Sequence, residues 1–306
     1  MQDKFIGCLL GLAYGDAICA AYEGGIIERL LWRLIGRTKA NELRFTDDTQ
    51  MSLDIAQSFI TQGKLDQNKL AYAFAKSYQW SRGYGPSAAK ILKRIRRNMP
   101  WQEANISVYE NGSFGNGAAM RAPVLAMCFK ITDLEFEQAV IQSSEITHAN
   151  SLAIEGALLI AHATAYALYD ISNGEINTGL LNIVKTDIFK KKLRACQEHL
   201  QLNTELDVCD VKKLFGNEIT AEQSCITAIY LSMKFRNEPF LNLLNFIKKL
   251  GGDTDTIAAM SGAIWGAFNG AEKMQESVLP KIEKQDEIKN IAVLLHNAYV
   301  TNYEMK

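Results

Sequence analysis

Three short segments of the chain concentrate acid oxygens, hydroxyls and glycines. The first is Phe45-Thr46-Asp47-Asp48-Thr49-Gln50. Met51, Ile55 and Phe59 follow at a spacing of four, which predicts a helix over 47–62 that ends at Gly63. One Thr or Asp is enough to cap such a helix. Two adjacent carboxylates exceed that need, and near a core they repel unless a cation lies between them. The second segment is Gly251-Gly252-Asp253-Thr254-Asp255-Thr256, which also opens a helix. Asp253 and Asp255 stand two apart at its start, so both can bend toward one point. Carboxylate and hydroxyl oxygens without Cys or His select magnesium, calcium or manganese over zinc. The four aspartates carry −4 in all, which two divalent cations balance. Paired ions of that kind are a known catalytic device.

The third segment is Gly112-Ser113-Phe114-Gly115-Asn116-Gly117, running into Ala118-Ala119-Met120-Arg121. Glycines let a backbone approach a ligand, and free N–H groups at a helix start favour anions. The segment reads as a phosphate cradle or as an ordinary turn with a cap; it has no GK[ST] pattern. The Asp253-Thr254-Asp255 spacing is also found at the catalytic strand of haloacid-dehalogenase phosphatases. Here Leu243, Ile247 and Leu250 precede it at helical spacing, where that motif needs a strand.

The elements that must carry these segments are helices. Only 5 of 306 residues are proline, well under the usual share of about 5%. Leu70, Phe74 and Tyr78 repeat at four, Pro86 opens a further helix, and Thr132 with Glu135 has the pattern of a capping box. Ala153–Tyr169 is apolar nearly all round, as in a buried central helix, and Thr220 opens another. No run of alternating β-branched residues appears. The expected fold is therefore all-α, a single domain over 1–306 of a dozen or so helices. Gly7, Gly11 and Gly15, and again Gly262, Gly266 and Gly270, are spaced by four. Each stripe predicts a face where another backbone comes close.

Composition narrows the function. The net charge is −1, with no bulk basic field to hold a polyphosphate, so general nucleic-acid binding is not expected. Lys90, Lys93, Arg94, Arg96 and Arg97 form a local basic run that either steers an anion or is a solvated helix face. The six cysteines have neither CxxC nor finger spacing, which suits reduced thiols of a cytoplasmic protein. Asp3 and Asp16 argue against a signal peptide. The longest uncharged stretch, Thr256–Ala271, is too short for a membrane span.

Taken together, the motifs resemble the ADP-ribosylglycohydrolase family. The matching segments are Gly7-Cys8-Leu9-Leu10-Gly11-Leu12-Ala13-Tyr14-Gly15-Asp16-Ala17 with Glu23, Phe45-Thr46-Asp47-Asp48-Thr49, Gly115-Asn116-Gly117-Ala118-Ala119-Met120-Arg121, Ile146-Thr147-His148, and Gly251 to Thr256, in the family's order. The resemblance implies an all-α fold with a central two-metal cleft, and hydrolysis of the bond between an acceptor and the ribose anomeric carbon of ADP-ribose. It implies two divalent cations, Mg2+ or Mn2+. Thr46, Asp47 and Asp48 would ligate one ion and Asp253, Asp255 and Thr256 the other, with Asp255 as bridge. Ser113, Phe114, Gly115, Asn116 and Gly117 would wrap the diphosphate and distal ribose, with His148 beside the substrate. Glu23, Asp47 and Asp255 would be catalytic. Glu23 precedes Gly24-Gly25, a possible hinge, and could serve as base or as gate. The implied partner is an ADP-ribosylated protein or small-molecule acceptor. An alternative is a non-catalytic ADP-ribose-binding or immunity-type protein with the same pocket. The stretch 24–44, with Trp32, Arg33 and Arg37, follows no family pattern.

Overall fold

The computed structural model describes residues 1–202, 204–274 and 278–303. Among them are sixteen α-helices and three 3-10 turns; no strand is present, only isolated bridges such as Leu43 with Ile282. The all-α expectation holds. Trp101–Ile106, Pro123–Cys128 and Val208–Leu214 have too few turns for a periodic pattern, and Ile26–Ile35, Asn173–Ile183, Asp187–Gln201 and Gln285–Tyr303 are further helices beyond those read from the sequence.

The centre is a pair of helices, Gln2–Cys19 and Thr254–Met274, packed antiparallel with their backbones in contact. A Cβ on Gly7 would lie 2.5 Å from the Gly266 carbonyl oxygen, one on Gly11 2.1 Å from that of Gly262, and one on Gly15 2.1 Å from that of Ala258. No side chain fits there, which accounts for glycines that each cost a helix about 1 kcal/mol against alanine. The same register ends at a hydrogen bond of 3.0 Å from the Thr254 hydroxyl to the Cys19 carbonyl. Ser151–Leu168, Ala221–Lys234 and Phe240–Leu250 pack on Thr254–Met274, and Gln285–Tyr303 packs on the N-terminal helix and on Asp47–Gln62.

Gly270 departs from the expected stripe. Its φ of 78° breaks the helix, and a Cβ there would meet the Asp3 carboxylate at 1.9 Å. Asp3 accepts from the Glu272 amide at 3.2 Å and so caps the turn that resumes the helix. The capping box read at Thr132 and Glu135 does not form. The chain turns one residue later, with Asp133 donating its amide to the Lys130 carbonyl at 3.0 Å, and Asp133 takes the N-cap of Leu134–Glu145. Gln2–Tyr22 and Ser151–Leu168 are long and apolar enough to cross a membrane, yet 83% and 72% of their apolar windows are buried inside the protein as core helices.

Three chain ends meet at one point of this frame. They are the exit of Gln2–Cys19 through the turn Ala20–Tyr22, the start of Asp47–Gln62 and the start of Thr254–Met274. Gly11→Ala should destabilise the protein by about 3 kcal/mol, since the added methyl meets a backbone that cannot yield. Gly174→Ala, where the space around the Cβ is open, should be neutral or stabilise by up to about 1 kcal/mol. Urea melts of the two variants against wild type check the contrast.

Candidate functional site

The first acidic turn is held from below by Asp16. This fully buried carboxylate accepts from the Thr46 amide at 2.9 Å, the Thr49 amide at 3.0 Å and the Thr49 hydroxyl at 2.6 Å. Thr46 is the N-cap of Asp47–Gln62, its hydroxyl accepting from the Asp48 amide at 3.3 Å. With these N–H groups engaged, the Asp47 and Asp48 carboxylates are left for other partners. Asp48 Oδ2 is buried and has no hydrogen-bond partner among the described residues, and Oδ1 lies 3.5 Å from the Thr256 hydroxyl.

The second acidic turn needs its glycines. Gly251 and Gly252 have φ of 64° and 75°, and a Cβ on Gly252 would lie 2.1 Å from the Asn217 carbonyl. Asn217 shapes the turn, its side-chain amide donating to the Gly251 carbonyl at 2.9 Å and its own carbonyl accepting from the Asp253 amide at 2.9 Å. Asp255 Oδ1 accepts from the Thr256 amide at 2.9 Å. Asn116 donates its side-chain amide to Asp253 and to the Ser224 hydroxyl, which ties the glycine-rich loop to this turn.

Carboxylate oxygens of Glu23, Asp253 and Asp255 lie within 4.8 Å of one another. Burial, then mutual repulsion, drives their affinity for protons upward: Glu23 to about 7, with Asp47, Asp48 and Asp255 raised well above the carboxylate range. Asp16 rises to about 6, burial outweighing its hydrogen bonds from Thr49 and Thr46. An orphaned buried carboxylate oxygen, crowded acids and an all-oxygen donor set fit a hard divalent cation. The starts of two helices also direct their positive ends at this point.

A cleft of about 370 Å³ runs from these acids to the glycine-rich loop, bounded also by Gly83–Ala88, Tyr109 and Ile219. The loop is pinned to the segment before Ala221–Lys234 by the Asn116 amide on the Ile219 carbonyl, 3.0 Å, and the Ala221 amide on the Phe114 carbonyl, 3.1 Å. His148 lies against it. A Cβ on Gly117 would stand 2.6 Å from the His148 ring, so this glycine makes room for the histidine; Gly115 leaves 3.4 Å. Burial, helped by Arg121, lowers His148 to about 3, so the ring is neutral. Arg121 is fully buried beneath the loop, donating to the Gly117 carbonyl at 2.9 Å, the Ser143 carbonyl at 2.6 Å and the Thr147 hydroxyl at 3.0 Å. That hydroxyl is 2.7 Å from His148 Nδ1 and so fixes the ring.

The cleft thus brings together Glu23, Asp47, Asp48, Asp253, Asp255 and Thr256 with Ser113, Phe114, Gly115, Asn116, Gly117 and His148. Thr46 stands behind it, its hydroxyl spent on the cap. Asn116 faces Asp253, so it positions an acid as well as lining the loop. Sequence reasoning missed Asn217, Arg82 and the Gly83-Tyr84-Gly85-Pro86 wall, whose signal is a glycine pair before a proline. It also missed the work of Asp16, which the sequence placed in the matching N-terminal segment without a role of its own.

Known proteins resemble this chain over nearly its whole length. The family model described as ADP-ribosylglycohydrolase matches residues 1–304. ADP-ribosylhydrolase ARH3 of Gallus gallus is 30% identical, the match covering 97% of this chain and 93% of that protein. ADP-ribosylhydrolase ARH3 of Homo sapiens is 28% identical over 97% and 94%. A solved structure described as an ADP-ribosylglycohydrolase-related protein complex superposes with a TM-score of 0.70 at 19% identity, over 97% of this chain and 98% of that one, a likeness of fold.

The raised carboxylates set a pH dependence. A folded-state affinity above the ordinary one means that ionisation opposes folding. For Glu23 the penalty grows as pH rises from the ordinary value of 4.5 and is complete above about 7. Metal-free protein should therefore melt at a higher temperature at pH 5.5 than at pH 8, and a divalent cation should raise the melting point at pH 8. Asp48→Asn should melt higher than wild type without metal and gain less from it. Scanning calorimetry of both proteins at the two pH values, with and without Mg2+, measures each difference.

Proposed function

The chain belongs to the ADP-ribosylglycohydrolase family, and we propose that its cleft binds two divalent cations, Mg2+ or Mn2+, and hydrolyses the bond between an acceptor and the anomeric carbon of ADP-ribose. The observation that carries this reading is the juxtaposition, in one cleft, of the Glu23, Asp253 and Asp255 carboxylates with a backbone loop bare of side chains at Gly115 and Gly117. Asp47, Asp48, Asp253, Asp255 and Thr256 would hold the ions, while Thr46, expected as a ligand, caps the turn that carries the first pair. When bound, divalent cations supply the charge that lets these acids ionise together, and a Lewis acid for ribose oxygens and water.

The chain's own groups divide the remaining work. The loop Ser113–Gly117 lets the diphosphate approach backbone N–H groups, with His148 as a neutral donor or acceptor at its back. Phe114 is half exposed at the cleft and offers a ring face to the adenine. Departure of the acceptor leaves oxocarbenium character on the ribose. The ionised carboxylates of Asp47 and Asp255 stabilise that charge. Glu23, whose carboxylate lies within 4.8 Å of those of Asp253 and Asp255, is placed to take the proton of the attacking water. The retention of every acid in both turns favours turnover over an ADP-ribose-binding or immunity-type role, since a reader needs only the loop.

The test is a panel of ADP-ribosylated acceptors, one per linkage, assayed for free ADP-ribose. One linkage should be cleaved, chelation should abolish release, and Mg2+ or Mn2+ should restore it. Asp255→Asn should remove most activity and stay folded; full activity of that variant in metal-depleted buffer would end the two-ion reading. Glu23→Gln should lower kcat by about 10²-fold with ADP-ribose still bound. Gly115→Val should weaken ADP-ribose binding in calorimetry while the melting point still responds to Mg2+. Unchanged affinity would reduce the loop to a turn.

A further inference from the structure

We propose that the outer face of the helix Ile26–Ile35 docks the polypeptide segment flanking the ADP-ribosylated residue; the inference rests on the reading of the cleft given above. No residue of this helix is buried. Ile26, Ile27, Leu30, Leu31 and Leu34 are 50–82% exposed. At 3.6 residues per turn they fall on one side. A ten-residue helix is marginal in water without tertiary packing of its apolar face, and a contiguous exposed apolar patch marks an interaction surface.

Its place in the fold names the occupant. The helix begins three residues beyond Glu23, through Gly24, whose φ is 65°, and Gly25. Arg29 donates to the Glu23 carbonyl at 3.4 Å, and Glu28 accepts from the Gly25 amide at 3.1 Å, so helix and carboxylate are held as one piece. With the diphosphate on the Ser113–Gly117 loop and the anomeric carbon at the acids, the acceptor leaves the cleft on the Glu23 side, beside this helix. A free metabolite would end there and need no apolar face.

Charge narrows the partner. Residues 24–40 carry Arg29, Arg33, Arg37 and Lys39 against Glu28, a net +3, whereas the whole chain is −1. This segment is thus basic within a chain that is slightly acidic overall, and its charge flanks an apolar face left uncovered. It complements an acceptor segment that presents aliphatic side chains and acidic residues next to its modified residue.

The experiment compares two substrates with the linkage found in the panel: the ADP-ribosylated free amino acid, and the same residue within a leucine- and glutamate-rich peptide. Leu30→Ser/Leu34→Ser removes apolar contact without touching the core, and Arg33→Glu reverses a flanking charge. Each should raise KM for the peptide by about tenfold, while kcat and KM for the free amino acid stay at wild-type values and melting is unaltered. Peptide kinetics equal to wild type in both variants overturn the proposal. It is also overturned if the same substitutions abolish sedimentation with phosphatidylserine vesicles, or dissociate a dimer in light scattering, and leave the peptide KM unmoved. Failure of the cleft reading itself looks different, since the wild-type enzyme would then release ADP-ribose from neither substrate.

Discussion

The backbone-to-backbone contact between Gln2–Cys19 and Thr254–Met274 is the constraint on which the rest of the structure depends. Because Gly7, Gly11 and Gly15 leave no room for a Cβ against Gly266, Gly262 and Ala258, the two helices can meet in one register only. That register carries the exit of the first helix alongside the entry of the last. Glu23 and the turn Gly251–Thr256 lie 228 or more residues apart in sequence, yet their carboxylates come within 4.8 Å. A slip of one helical turn would move the partners by about 5.4 Å and break the cluster.

A site so dense in acids works against its own fold. Glu23, Asp47, Asp48, Asp253 and Asp255 all bind protons more tightly than free carboxylates, because burial penalises their charge and each repels the next. The protein contains this with groups that do not neutralise it. Asp16 adds to the repulsion on Asp47 and Asp48, yet its own charge is solvated by the Thr46 and Thr49 amides and the Thr49 hydroxyl. Two helix starts and Arg121, itself held by carbonyls, add positive potential nearby. Burial lowers Arg121 to about 9, still cationic at neutral pH. The residual imbalance is what a divalent cation in the cleft would relieve, so that the instability of the metal-free state would be binding energy in reserve.

A second clamp acts from the far end of the chain. Glu283 accepts from the Phe45 amide at 3.0 Å and pairs with buried Arg82, which donates to the Phe45 carbonyl at 2.7 Å and stacks 4.1 Å from the Phe45 ring. Asp16 and this pair grip the first acidic turn on both sides. Arg82 leads directly into Gly83–Ala88, so the wall of the cleft and the acidic turn share one anchor. Asn116 does the same for the glycine-rich loop and Asp253. The glycine-rich and acidic segments are thereby set relative to one another within a hydrogen-bond length.

The sequence by itself determined the helical fold, the acidic turns, the oxygen donor set and the glycine stripes. Each is a local property: periodicity within one helix, ligand chemistry within six residues, steric permission at one Cα. The helix Asp47–Gln62 with Gly63 in the left-handed conformation was legible for that reason. Only the tertiary structure decided which glycine served packing and which, Gly270, served a break, because the difference lies in Asp3 across the interface. It alone turned Asp16, Asn217, Arg82 and Glu283 into supports of the site, since a buried polar group takes its meaning from partners brought near by the fold. It alone left the apolar face of Ile26–Ile35 uncovered: an amphipathic pattern states that a face must be buried, and not against what.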